Sequence, residues 1–219
     1  MASSTLSGQI YDELYRDITD QRLRCGEKLT LKMLKDRFHV SHTPIREALM
    51  RLSENELVTY YSNCGVVVTE FTETDIRELY QFAAELDSMA IQFCANSFNQ
   101  KPLILDLQEI IDGSNDALAK GDYARWKDHS EAFHVAFYHH AQNRYLNVAD
   151  ARLRAKLEVL SCMYYKEQNI GKINQDHVEI FELIKAGQFT QAADRMREHL
   201  QYDMAFALKA YAEYQAKRD

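Results

Sequence analysis

Apolar residues recur at helical spacing over residues 6–23, with Ile10, Leu14 and Ile18 on one face, which predicts a first helix ended near Gly26. The segment GEKLT follows as a turn, and residues 31–38 form a second helix that turns Leu31, Leu34 and Phe38 inward. Phe38-His39-Val40 is a tight connection into a third helix over residues 40–52, VSHTPIREALMRL. Ile45, Ala48, Leu49 and Leu52 make its apolar stripe; Arg46 and Met50 lie off it, with His42 near the start and Arg51 further round. Ser41 and Thr43 can each cap this helix, and the sequence leaves the choice open. Pro44 falls in the first turn either way, where a missing N–H costs nothing. A helix with an apolar back and a basic, hydroxyl-bearing front suits a DNA major groove. By itself it equally describes a surface helix with two solvated arginines.

After Leu57 the pattern changes from period 3.6 to β-prone. Residues 57–61 and 66–69 read as strands joined by the turn Ser62-Asn63-Cys64-Gly65. Three helices followed by a hairpin make a winged helix-turn-helix, with the wing tip near Gly65. Thr72 to Asp75 is a T-x-x-D capping box that opens a second region. There Ile76, Leu79, Tyr80, Ala83, Leu86, Ala90 and Phe93 stripe a long helix. Further helices are expected over about residues 102–119, 123–141, 145–165, 173–186 and 190–214, with Gly121 and Gly187 as stops. The fold class expected is therefore mainly α: a winged helix-turn-helix over residues 1–72 and an all-α bundle of six helices over residues 73–219.

Composition narrows this further. The chain has 219 residues, only seven Gly and two Pro, which suits helices with short connections. No apolar run reaches membrane-spanning length, and the N-terminus has no basic stretch followed by an apolar one, so a cytoplasmic protein with no membrane partner is expected. Cys25, Cys64, Cys94 and Cys162 are scattered and form no C-x-x-C pair, as expected of reduced packing thiols. The net charge of −7 hides a division. Between Arg22 and Arg51 stand eight basic residues against Glu27, Asp36 and Glu47, a local +5, so a phosphate-binding face survives on an acidic protein.

The run VSHTPIREALMRLSENELV with the hairpin after it resembles the DNA-binding domain of the GntR family of bacterial transcription regulators. The resemblance implies DNA contacts from Lys32 at the start of helix two, from Ser41, His42, Thr43 and Arg46, and from the wing near Gly65. Three departures from the family pattern stand out. His42 replaces the usual Arg, His39 occupies a turn position that is usually Gly, and Cys64 and Val66 leave the wing uncharged.

In the second region His134, His177 and His199 each lie on an apolar face of a separate helix. Three imidazoles with an open position suit Zn, Ni or a similar divalent metal; on spacing alone, a histidine on an apolar face is more often a hydrogen-bonded core residue. The stretches SEAFHVAFYHHAQNRYL, DHVEIFELIKAGQF and RMREHL resemble the FadR C-terminal (FCD) effector domain, and the six-helix count is that of its VanR-like group. This resemblance implies a metal held by an Asp-x-x-x-His pair and two later His, which fall at His134, His177 and His199. The Asp position is Ser130, a poor ligand, and Glu131 and His129 point about 100° away on a helix. Ala83 stands where the family often carries Arg.

Arg152 and Arg154, with Ser130, are the candidate ligand-binding residues for an acidic effector, although surface charge is the commoner role for such arginines. His139 and His140 read as solvated helix-end residues. Trp126, Tyr164 and Tyr165 read as core. The expectation is a ligand-responsive regulator, a repressor by family habit, that binds a pseudo-palindromic double-stranded DNA operator as a homodimer and senses a small molecule, with no catalytic residues. Its rivals are a metal-dependent enzyme built on the helical region and a winged domain used for protein contact.

Overall fold

The structure is a computed structural model that describes residues 5–61, 65–164 and 167–216, with the side chains of residues 162–168 and 214 left aside. The expectations for Ser62, Asn63, Cys64, Cys162, Tyr164 and Tyr165 therefore lie outside the described residues. The chain divides into two compact units. Residues 1–76 with 152–163 form one, and residues 77–151 with 164–219 form the other. The first unit thus runs to residue 76 and also takes in most of the C-terminal half of one later helix.

In the first unit, α1 (Leu6–Thr19) starts on the Thr5 side chain, which accepts from the Gly8 N–H at 3.2 Å. It ends four residues before Leu23, because Gln21 takes a left-handed conformation that no helix continues. The expected turn GEKLT contains β1 (Lys28–Leu29), a two-residue strand too short to leave a periodic signal. Then come α2 (Leu31–Phe38), α3 (His42–Glu54), β2 (Val58–Tyr61) and β3 (Gly65–Val68). The sheet order is β1-β3-β2, all antiparallel, pairing Leu29 with Val66 and Tyr60 with Val66.

Ser41 takes the N-cap position of α3, without a side-chain cap bond. His39 holds the α2–α3 turn at φ 54°, the left-handed conformation that usually calls for Gly, and its N–H closes α2 on the Lys35 carbonyl at 2.9 Å. The stripe of α3 does bury completely: Ile45, Ala48, Leu49 and Leu52 are each 0% exposed. They share the buried set of this unit with Leu14, Ile18 and Leu34.

The second unit is helical throughout its described residues. It comprises α4 (Glu73–Ala95) from residue 77 onward, α5 (Lys101–Ala119), α6 (Tyr123–His140), the first part of α7 (Arg144–Tyr164), α8 (Glu167–Lys185) and α9 (Phe189–Gln215). The capping box is formed: the Thr72 N–H donates to Asp75 Oδ2 at 2.7 Å and the Asp75 N–H to Thr72 Oγ1 at 3.1 Å. Six helices follow Thr72 among the described residues, as the periodicity predicts. The fifth begins at Glu167, earlier than the expected residue 173.

Helix α5 packs on α6 and α8, and α8 on α9. Gly113 permits the first contact, since a Cβ there would lie 2.4 Å from the His129 ring. Trp126 is buried as expected and donates from Nε1 to Asn174 Oδ1 at 3.2 Å. Phe93, expected on the inner stripe of α4, is 37% exposed, so that stripe is narrower than it reads.

Candidate DNA-contact face and histidine centre

On the first unit, α3 exposes Ser41, His42, Thr43 and Arg46, and α2 exposes Lys32. These side chains are free to face outward because Ile45 and Leu49, on the opposite side of the same helix, supply its packing. Arg46 and Gly65 line one open cleft of about 610 Å³, together with Lys28, Thr30, Met50 and Tyr60. The recognition-type helix and the base of the wing thus meet in one surface. Lys28 escaped the sequence reading because it lies on the two-residue strand.

On the second unit, α6, α8 and α9 bring His134, His177 and His199 together. One nitrogen from each lies within 4.8 Å of the others. All three are buried, at 6%, 1% and 0% exposure. His177 stacks on Phe133 with ring centroids 4.3 Å apart, and its Nε2 lies 3.2 Å from His199 Nε2. Burial, with the neighbouring His199 and His134, pushes the His177 pKa well below the ordinary histidine value, so this imidazole is neutral.

Carboxylates stand behind two of the rings. Asp87 Oδ2 lies 2.7 Å from His134 Nδ1, and the Tyr138 hydroxyl donates to its other oxygen. Asp176 Oδ2 lies 3.4 Å from His199 Nδ1. Burial pushes Asp176 up, but the hydrogen bonds from His199 and Lys172 and the charge of Arg195 outweigh it and hold the carboxyl down to about 2. A carboxylate oxygen at each Nδ1 favours the proton on that nitrogen and leaves the lone pair on Nε2 available. Asp203, one turn after His199, lies 3.6 Å from His199 Nε2, and burial raises its pKa.

This donor set fits a divalent cation. Two imidazole nitrogens on a tetrahedral ion with bonds of about 2.0–2.1 Å stand about 3.3–3.4 Å apart, close to the 3.2 Å between His177 and His199. Carboxylates behind the His134 and His199 rings are the support that metal-ligating histidines commonly have.

Ser130 is buried on α6, one turn before His134. Arg152 and Arg154 lie on the stretch of α7 grouped with the first unit, Arg152 exposed and Arg154 buried. His139 is exposed as expected, whereas His140 pairs with Asp106 at 2.7 Å. Asp87 and Asp176 are the residues that sequence reasoning missed. Asp176 was within reach, as the neighbour of His177; Asp87, far upstream, carried no signal.

Residues 78–202, more than half of the chain, match the FCD domain, and residues 6–68 match the bacterial regulatory proteins of the gntR family. The chain belongs to the GntR family. It is an HTH-type transcription regulator with an FCD domain and not an enzyme. Among the family's members it is similar to the HTH-type transcriptional regulator McbR of Escherichia coli K12, 24% identical over 186 residues that span 85% of this chain and 83% of McbR.

The solved McbR/YncC structure shares the fold at a TM-score of 0.78 and 21% identity, over 95% of this chain and all of that one (100%). The HTH-type transcriptional repressor GlaR of the same organism is 24% identical over 213 residues, 91% of this chain and 94% of GlaR. The metal-free FCD domain of TM0439 aligns at a TM-score of 0.56 and 19% identity, over 66% of this chain and 99% of that one. No helix among the described residues is long and apolar enough to cross a membrane.

Proposed function

We propose that this GntR-family regulator represses transcription as a cytoplasmic homodimer, binding a pseudo-palindromic operator and releasing it when a small carboxylate occupies the helical unit. Two copies of α3 would read two half-sites about one helical turn apart. Arg46 and His42 face base edges, Ser41, Thr43 and Lys32 hold phosphates, and the base of the wing at Gly65 follows the backbone. His42 offers one donor where an arginine would offer two, so a bidentate guanine contact is not available at that position.

His134, His177 and His199 would hold a divalent cation such as Zn or Ni, each through one ring nitrogen, with Asp87 and Asp176 fixing the tautomers of the outer two. When bound, the cation supplies a Lewis-acidic anchor for an effector carboxylate. Ser130 adds a hydroxyl next to that position. The observation that carries the reading is the convergence of three buried imidazoles, two of them backed by carboxylates, in a chain whose other unit displays Arg46, His42 and Lys32 to solvent.

The experiment uses untagged full-length protein. Its metal content is measured by elemental mass spectrometry, and its affinity is measured for duplexes selected from a random pool, before and after chelation. Near-stoichiometric metal with salt-sensitive, sequence-selective DNA binding supports the reading. DNA binding with no metal uptake from added Zn or Ni overturns the metal part. Metal without any DNA binding overturns the operator part and favours a winged unit used for protein contact.

A further inference from the structure

The family pattern places a carboxylate at residue 130, where this chain has Ser130. The geometry points to Asp203 as its replacement: we propose that the centre is a three-histidine, one-carboxylate metal site in which Asp203, on α9, supplies the ligand that α6 has lost. This rests on the metal reading above.

Position decides between a ligand and an orienting group. The carboxylates that orient histidines stand behind the rings, Asp87 at His134 Nδ1 and Asp176 at His199 Nδ1. Asp203 stands on the other side. Its Oδ2 lies 3.6 Å from His199 Nε2, the nitrogen that Asp176 leaves free and that also faces His177 Nε2 at 3.2 Å.

Neighbouring donors on one ion with bonds of about 2.0–2.2 Å are separated by about 2.9–3.5 Å, from octahedral to tetrahedral angles. Both distances therefore sit at or within about 0.1 Å of co-ligand separation. The sequence spacing agrees: His199 and Asp203 are four residues apart on one helix, the offset that places two side chains on one face toward one ion. The Asp-x-x-x-His pair implied for α6 is thus exchanged for a His-x-x-x-Asp pair on α9.

Full-length protein, freed of metal by chelation, is titrated with Zn²⁺ by calorimetry and with Co²⁺ by visible absorption, for wild type and for His134→Ala, Asp203→Asn and Ser130→Asp/Asp203→Asn. The expected result is a loss of about 10–100-fold in Zn²⁺ affinity for Asp203→Asn, a changed Co²⁺ spectrum, and recovery of most of the affinity when Ser130→Asp is added. Wild-type affinity and an unchanged Co²⁺ spectrum in Asp203→Asn, with binding lost in His134→Ala, overturn the assignment of Asp203 and leave the histidine site standing. A wild type that takes up neither ion overturns both. Circular dichroism checks the fold of each variant. Should Asp203→Asn fail to fold, Asp203→Glu keeps the charge and lengthens the arm: an altered Co²⁺ spectrum supports the assignment, and an unaltered one overturns it.

Discussion

The two units solve opposite problems with polar side chains. In the winged unit the side chains proposed to contact DNA are held outward, and α3 is kept in place by residues that do nothing else: Ile45, Leu49 and Leu52, each 0% exposed. In the helical unit the side chains proposed to hold a cation are themselves buried, so the same positions must satisfy packing and chemistry together. A buried imidazole needs partners for its ring nitrogens, and the structure supplies them as Asp87, Asp176 and the other histidines. In a buried site each change bears on its supporting shell, which is why a carboxylate at Asp203 is proposed to stand in for the one that the family resemblance implies at Ser130.

The largest expected effect separates the units by metal. Zn²⁺ at about 100 times its dissociation constant should stabilise the protein by about 2.7 kcal/mol. Thermal melts of chelated and reloaded protein measure this, and His134→Ala should erase the difference. An equal rise in His134→Ala would place the metal elsewhere. Arg46→Ala is the counterpart in the winged unit. It should cost about 1–3 kcal/mol of affinity for selected DNA and relax the preference at one base pair, while leaving Zn²⁺ affinity unchanged. Unchanged DNA affinity in fluorescence anisotropy would remove α3 from the groove.

Acid should also tell the units apart. His177 titrates well below its ordinary value when folded but near 6.5 when unfolded. Below that pH the unfolded chain binds a proton that the native chain refuses. Its contribution to the stability of metal-free protein is therefore present above about pH 6.5 and is lost as pH falls, by up to about 1.4 kcal/mol per pH unit for one group. Urea melts between pH 7.5 and 5 should show this slope, and His177→Gln should flatten it. The same slope in His177→Gln would assign it to other groups.

The smallest effect belongs to the α2–α3 turn. His39→Gly relieves a left-handed residue at φ 54° but loosens the unfolded chain, for a net gain of about 1 kcal/mol or less. A lower melting temperature would show that the His39 side chain contributes more than its backbone strain costs.

The winged unit was legible because its signals are local. The α3 stripe, the first-turn Pro44 and the β-prone pair around Gly65 all lie within a few residues of what they specify. What escaped there was β1, whose two residues become a strand only by pairing with Val66 and Val67. In the helical unit the periodicity told which histidines turn inward, and the family pattern told that three of them belong together. Neither could show the supporting carboxylates. Asp87 is 47 residues from His134, and no spacing rule spans that distance.

By itself, then, the sequence determined the helices, the wing, the outward-facing basic residues and the inward-facing histidines, because each follows from periodicity within one element. Which nitrogen each histidine offers, which carboxylate stands behind it and which stands before it were decided only by tertiary structure. Those properties depend on distances between α4, α6, α8 and α9, and such distances are set by packing rather than by order along the chain.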